Sequence, residues 1–404
     1  MNSYYMLSYI TILNSPIVSI FTNFFLVASI LLPSIIYKNI SKLKSFGLMI
    51  NFTSLLIINN VLVIILIKLN KHLLIEYIFL INFIIAFAFY IKFKKKYLII
   101  YKSIFNNLIQ IFKKFKILLL NTILLLISTF IVALDGDSYM YHLSFPIKLI
   151  INNFEYLNPS WFHTNLVSYA EINNLYGLMH GSDNYVSFLN FTYFIFLIMF
   201  LVEYFHLNKI NYNLIILFIA TPFFYFLIVS QKFFFGPFLI ISLFIFYFLN
   251  IEYKFSFKYL LVFNYAILTK ITFYFYPFIF FIAFFIKNNF SKDFKFLLFY
   301  SLLSGLPLFV VLYLFRIDYL QFPLFPFIID DNYLTFLFND WVSDQKNFLK
   351  FKFDLFLNIF FPTSFYNLTN FLGIFVFYAV LIFFIPKKIE HKVLIIIMII
   401  ISIF

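Results

Sequence analysis

The chain alternates between long apolar runs and short polar connections, without the every-second-residue pattern of a strand. Runs near 20 residues match the helix length needed to cross a hydrocarbon core of about 30 Å. They predict spans at 17–37, 47–67, 73–91, 117–134, 184–205, 213–229, 234–251, 296–316 and 371–386. A last apolar run, 393–404, ends after 12 residues and is too short to cross. The block 259–286 is longer than one span and carries Lys270 near its middle. It reads as a hairpin of two short helices turning near that lysine, an arrangement tolerated where it lines a protein cavity. Residues 97–111 include Lys102, Asn106 and Asn107 and predict an amphipathic helix on the membrane surface. The pattern therefore predicts an all-α fold, a polytopic transmembrane helical bundle of roughly 10–12 helices.

Composition strengthens that reading. Of 404 residues, 64% are hydrophobic and only 11% charged, where a soluble domain is about half apolar and about a quarter charged. With no Cys, a disulfide framework and thiolate metal sites are excluded. The net charge of +13 would suggest nucleic acid in a soluble protein. Here the lysines cluster in short loops, as cytoplasmic connections of membrane proteins do. No signal-peptide pattern precedes the first span, since no charge appears before Lys38.

Charge also orients the bundle. Lys92, Lys94, Lys95, Lys96, Lys102, Lys113, Lys114 and Lys116 place residues 92–116 in the cytoplasm. Crossing at 117–134 then puts the next stretch, 135–183, outside, with Lys68 and Lys71 as a small exception on the same side. That stretch carries Asp135, Asp137, Glu155, Glu171 and Asp183 against a single Lys148. Its Pro146 and Pro159 and its aromatics Tyr139, Tyr141, Trp161 and Phe162 predict short helices at the membrane surface. Three regions follow: 1–116 with N-terminal spans and the basic connection, 117–330 as a core holding the external loop 135–183, and 331–404 as an external loop with C-terminal spans.

Four places hold candidate chemistry. Asp135-Gly-Asp137 begins where the fourth span ends. On an irregular turn its carboxylates can converge and accept a proton from an attacking hydroxyl; alternatively they are a solvated helix end, or Asp137 is an N-cap. Lys270 lies within an apolar block, where a lysine costs roughly 2.5–3.5 kcal/mol to insert. It is either a fixed cation for a phosphate or a side chain snorkelling to the interface. Lys232 sits at a helix end, where snorkelling is the simpler account. Glu171 can join His142 and an aspartate around a divalent cation through oxygen and imidazole donors, though no diagnostic spacing marks the three. His163 and His180 read as interfacial polar residues. Arg316 precedes Gln321-Phe-Pro-Leu-Phe-Pro-Phe327, whose prolines stiffen an extended segment.

These pieces form a pattern. Asp137-Ser-Tyr-Met-Tyr-His-Leu-Ser-Phe-Pro-Ile-Lys148 resembles the Asp-x-x-x-Tyr-His-Leu-x-x-Pro-x-Lys signature in the first large external loop of bacterial GT-C membrane glycosyltransferases. That superfamily includes the protein mannosyltransferases and the lipid A aminoarabinose transferases. Ser168-Tyr-Ala-Glu-Ile-Asn-Asn-Leu-Tyr is similar to the Glu-containing helix of the same loop, and Leu268-Thr-Lys-Ile-Thr to a Thr-Lys-Tyr-Thr element. Phe322-Pro-Leu-Phe-Pro-Phe resembles the Asn-Pro-x-Phe-Pro-Phe turn, with Gln321-Phe322 in place of Gly-Asn. The matches cover roughly residues 117–330 in order.

The resemblance implies a GT-C-like fold and an inverting enzyme at the outer membrane face, in a bacterial plasma membrane. It would use a polyprenyl-phosphate-linked sugar donor and a lipid, glycan or protein acceptor. Asp137 would be the general base, with Asp135 as substitute. His142 and Glu171 would orient the donor phosphate, directly or through a divalent cation (Mg or Mn) held with Asp137. Lys270 and Lys148 would stabilise the leaving phosphate. Lys232 and Arg316 complete the candidate substrate-binding set. No Gly-rich phosphate loop occurs among the seven glycines, as expected for a lipid-carried donor. An O-antigen polymerase or ligase would use arginines in the large external loop, and 135–183 has none. A transporter or lipid flippase would show internal repeats and ionisable residues near the midplane.

Overall fold

The computed structural model describes residues 16–36, 43–130, 142–155, 167–208, 227–250, 256–270, 273–274, 277, 280, 292–320 and 339. The described residues are all-helical, with no strand. In chain order the helices are α1 (Pro16–Ile36), α2 (Lys44–Lys68), a 3-10 turn at His72–Tyr77, α3 (Ile78–Lys114) and α4 (Lys116–Ser128). The loop helices α5 (Ser144–Ile151) and α6 (Tyr169–Met179) come next, then α7 (Tyr185–Asn208), α8 (Phe235–Asn250), α9 (Phe257–Leu268) and α10 (Lys292–Tyr319). Among the described residues, five helical stretches are long and apolar enough to cross a membrane: Val18–Ile35, Lys44–Lys68, His72–Lys92, Tyr185–Tyr204 and Lys295–Tyr319. They correspond to the expected spans at 17–37, 47–67, 73–91, 184–205 and 296–316. The helices at Lys116–Ser128, Phe235–Tyr247 and Phe257–Leu268 are apolar but shorter. The expected spans 213–229 (but for its last three residues), 371–386 and the run 393–404 lie outside the described residues.

α2 is the axis of the bundle, touching α1, α6, α7, α9 and α10. Its neighbours meet it with aromatic rings: Phe46 stacks on Tyr247 at 4.3 Å, and Phe52 meets Tyr193 edge-on at 5.7 Å. The outward faces of α3 and α10 are apolar as well, with Ile84, Phe87, Phe296, Leu302 and Leu306 all more than 60% exposed. A helix apolar on all sides fits a lipid environment, since in water such a face would be polar. The half-buried Asn264 of α9 donates to the Ser301 carbonyl and to Ser304 Oγ of α10, both at 2.8 Å. Gly305 makes that approach feasible, because a Cβ there would lie 3.1 Å from Asn264 Cγ.

Contacts sort the connections to two ends. At one end, Glu203 accepts from the backbone N–H groups of Lys44 and Ser45 at 2.9 and 2.8 Å, and from Ser45 Oγ at 2.6 Å. The far end of α2 gathers the loop segment. There Lys68 pairs with Asp318 at 3.0 Å, and the His72 ring stacks on Phe154 at 4.5 Å. Phe154 is held in a left-handed conformation (φ 61°) at the end of α5. α9 and α10 both reach this loop end with their last turns, through Thr269 and Asp318; the second half of the expected hairpin, after Lys270, lies largely outside the described residues.

Two expectations need correction. The segment 97–111 is no separate surface helix, because α3 runs unbroken for 37 residues through the basic stretch. Lysine is a good helix former, so a charge run does not stop a helix. Within the acid-rich loop, α6 has no open face of the kind a surface helix presents: every residue from Tyr169 to Leu178 is buried.

Candidate functional site

The site is organised by α6. Ser168 caps its first turn in a capping box with Glu171, so a Ser-x-x-Glu spacing readable in the sequence fixes the carboxylate's direction. Glu171, 5% exposed, accepts from the Ser168 N–H at 2.7 Å and from Ser168 Oγ at 2.5 Å through one oxygen. Its other oxygen lies 2.7 Å from His142 Nδ1. A carboxylate oxygen only accepts, so Nδ1 carries the proton in this contact. Nε2 is left as an acceptor in the neutral ring, or as a second donor in the charged one.

Two further segments are fastened to the same helix. Ser168 Oγ also lies 2.5 Å from the carbonyl of Thr269, the residue before Lys270. Asn174, one and a half turns along, donates to the His142 carbonyl at 3.3 Å and to the Gln231 carbonyl at 3.2 Å. Gln231 precedes Lys232. The segment 227–232 is held again from α7: Asn190 donates to the Lys232 carbonyl at 2.8 Å, and Ser187 to the Val229 carbonyl at 2.8 Å. The Lys270 ammonium sits 4.9 Å from the centre of the Phe234 ring, a cation–π contact with a residue two positions past Lys232. Arg316, on the last turn of α10, lies within electrostatic reach of Glu171 and Tyr274. Its neighbour Phe315 meets Phe145 of α5 edge-on at 6.3 Å.

His142, Glu171, Lys232, Lys270 and Arg316 are thus brought to one end of the bundle from five different segments. Lys148 is not part of this group; its side chain is exposed on α5. Asp135, Asp137, His163 and the 321–327 segment lie outside the described residues. Among the described residues no three His, Asp or Glu side chains group as metal ligands. Near the site's edge, His180 Nδ1 donates to the Tyr176 carbonyl at 2.8 Å, and burial holds its ring below the usual histidine range. Burial also pushes the nearby Asp183 carboxyl up.

The residues that sequence reasoning missed are Ser168, Asn174, Ser187, Asn190 and Gln231. The capping-box spacing marked Ser168, whereas the amides looked ordinary in an Asn-rich chain. What would have flagged them is polarity within or beside apolar runs, where an amide is costly unless paired.

The fold defines a class: an all-helical bundle with several helices able to cross a membrane, compatible with a multi-pass membrane protein. The chain matches no family profile, no curated protein and no solved structure.

Proposed function

We propose that this chain is an integral-membrane glycosyltransferase that moves a sugar from a polyprenyl-phosphate carrier to a lipid, glycan or protein acceptor at the outer face of a membrane. The observation that carries the reading is the Glu171–His142 pair, tied through Ser168 to the turn bearing Lys270. A buried carboxylate, an imidazole and three cations from separate segments meet at one bundle end, and His142, Glu171 and Lys270 belong to motifs that resemble the GT-C pattern. Asp137 is five residues ahead of His142, so its backbone lies within about 18 Å of that histidine.

In the proposed reaction the acceptor oxygen attacks the anomeric carbon and its proton passes to the Asp137 carboxylate. The bond from that carbon to the phosphate oxygen breaks, with inversion. The departing phosphate takes the bonding pair, and Lys270, Lys232 and Arg316 stabilise its charge. Glu171 acts through His142, because both its oxygens already accept hydrogen bonds, three in all. These fill three of the roughly four acceptor positions of the carboxylate, so it offers Mg or Mn one position at most without losing a hydrogen bond.

The test is transfer by purified chain in lipid nanodiscs from labelled polyprenyl-phosphate sugars, with and without EDTA. Asp137→Asn should abolish transfer with normal membrane insertion, and Lys270→Ala should weaken donor use more than acceptor use. Normal transfer by Asp137→Asn would remove the base. No transfer by the unmodified chain from any such donor would remove the reading.

One observation favours a second reading, a transporter or lipid flippase. Tyr265 is buried between Asn60 of α2 and Asn173 of α6, which donate to its hydroxyl at 2.7 and 3.0 Å. Nearby the Tyr176 and Tyr185 hydroxyls are buried without hydrogen-bond partners among the described residues. Polar groups held inside an apolar bundle suit a hydrated passage. Flux of fluorescent lipid or sugar across vesicles, lost in Tyr265→Phe, would support this second reading over the first.

A further inference from the structure

We infer that Ser168 and Asn174 are positioning residues, each setting one lysine of a two-cation cradle for a phosphate group. The inference deepens the proposed site and rests on its reading of Lys232 and Lys270 as phosphate-binding. The two contacts share one design. Ser168 bonds the carbonyl of Thr269, and the next residue is Lys270. Asn174 bonds the carbonyl of Gln231, and the next residue is Lys232. Both carbonyls belong to residues with no exposed surface, so neither finds water if its partner is removed.

The donors are fully used. Asn174 offers two N–H bonds and lies within reach of two carbonyls, His142 and Gln231. Ser168 has one O–H, placed 2.5 Å from both the Thr269 carbonyl and Glu171 Oε2. One short rigid helix thereby fixes His142, Lys232 and Lys270 at once. Phe234 closes the arrangement, since its ring lies under the Lys270 ammonium and its N–H bonds the Lys232 carbonyl at 2.7 Å. Lysine carries its charge on a flexible stem and is a weakly directed anion ligand. Fastening the backbone just ahead of each lysine supplies the aim that the side chain lacks.

The experiment uses the full chain in nanodiscs with farnesyl phosphate as a short polyprenyl monophosphate. Binding is read by titration, and lysine protection by reductive methylation with mass spectrometry. In the unmodified chain the probe should shield both Lys232 and Lys270. Ser168→Ala should raise the Kd about tenfold, the scale of one lost hydrogen bond, and expose Lys270 while Lys232 stays shielded. Asn174→Ala should expose Lys232 first, and Ser168→Thr, which keeps the hydroxyl, should restore the affinity. Unchanged Kd and shielding in Ser168→Ala would overturn the inference, as would equal loss at both lysines in both variants. A chain that does not bind farnesyl phosphate would overturn it too. Binding as expected without sugar transfer would instead refute the glycosyltransferase reading and leave the positioning roles intact.

Discussion

Replacing Glu171 separates its charge from its shape. In Glu171→Ala three acceptor contacts disappear together: the Ser168 N–H, Ser168 Oγ and His142 Nδ1. Ser168 Oγ keeps the Thr269 carbonyl, so the real losses are the buried N–H and the imidazole. An unsatisfied buried donor costs about 1–3 kcal/mol and a lost charge-assisted bond about as much, so the expected total is about 2–6 kcal/mol. Glu171→Gln behaves differently. Its amide oxygen can still accept from Ser168, and its NH2 then faces His142 Nδ1, which must give up its proton to become an acceptor. Exchanging a charge-assisted bond for a neutral one costs about 1–2 kcal/mol. Denaturant titration in mixed micelles reads the two costs, and nitrogen NMR of His142 reads the tautomer, with the proton expected to move from Nδ1 to Nε2 in the Gln variant. Stabilities of the two variants within about 0.5 kcal/mol of each other, with an unmoved proton, would refute the bonding described for Glu171.

Three other outcomes follow from the packing. Glu203→Gln should lower stability by about 1–2 kcal/mol through the N-terminus of α2, and high salt should shrink the difference; an effect that is absent at low salt would mean the cap carries no charge term. Burial holds His180 below its ordinary range, so its contribution is complete above about pH 6.5 and is lost as pH falls through the lowered folded value. His180→Phe should flatten the stability slope between pH 7 and 5, while the Asp183 carboxyl, raised by burial, has the opposite sign and gains as it protonates. Gly177→Ala would place a Cβ 2.5 Å from Tyr185 Cβ and 2.9 Å from the Ser182 carbonyl, so the α6–α7 turn must shift. Thermal unfolding should register about 1–3 kcal/mol of overpacking, and an unchanged midpoint would show that the turn yields freely.

The spans were legible because each is a long apolar run whose length is set by the membrane, and five such helices stand where the hydropathy placed them. The helix end at Lys270 was legible for a related reason, as the apolar block 259–286 is longer than one span and carries this charge near its middle. α6 was not. Its Ser168, Tyr169, Asn173 and Asn174 read as part of a helix at the membrane surface, yet their partners include Thr269, Leu308, Tyr265 and Gln231, which no local pattern can supply. The pairing of His142 with Glu171 follows the same rule: both residues stood out, but only packing sets a distance across 29 positions.

The distant partners of α6 also impose an order in time. Tyr169 donates to the carbonyl of Leu308, 139 residues later, and Ser168 waits 101 residues for Thr269. At synthesis rates of about 5–20 residues per second, the first of these gaps lasts roughly 7–28 s. For that interval the Tyr169 and Ser168 hydroxyls lack these carbonyls, and Asn60 of α2 likewise waits 205 residues for Tyr265. The candidate site is thus completed last, by the arrival of α10 rather than by the loop that carries its most conspicuous residues.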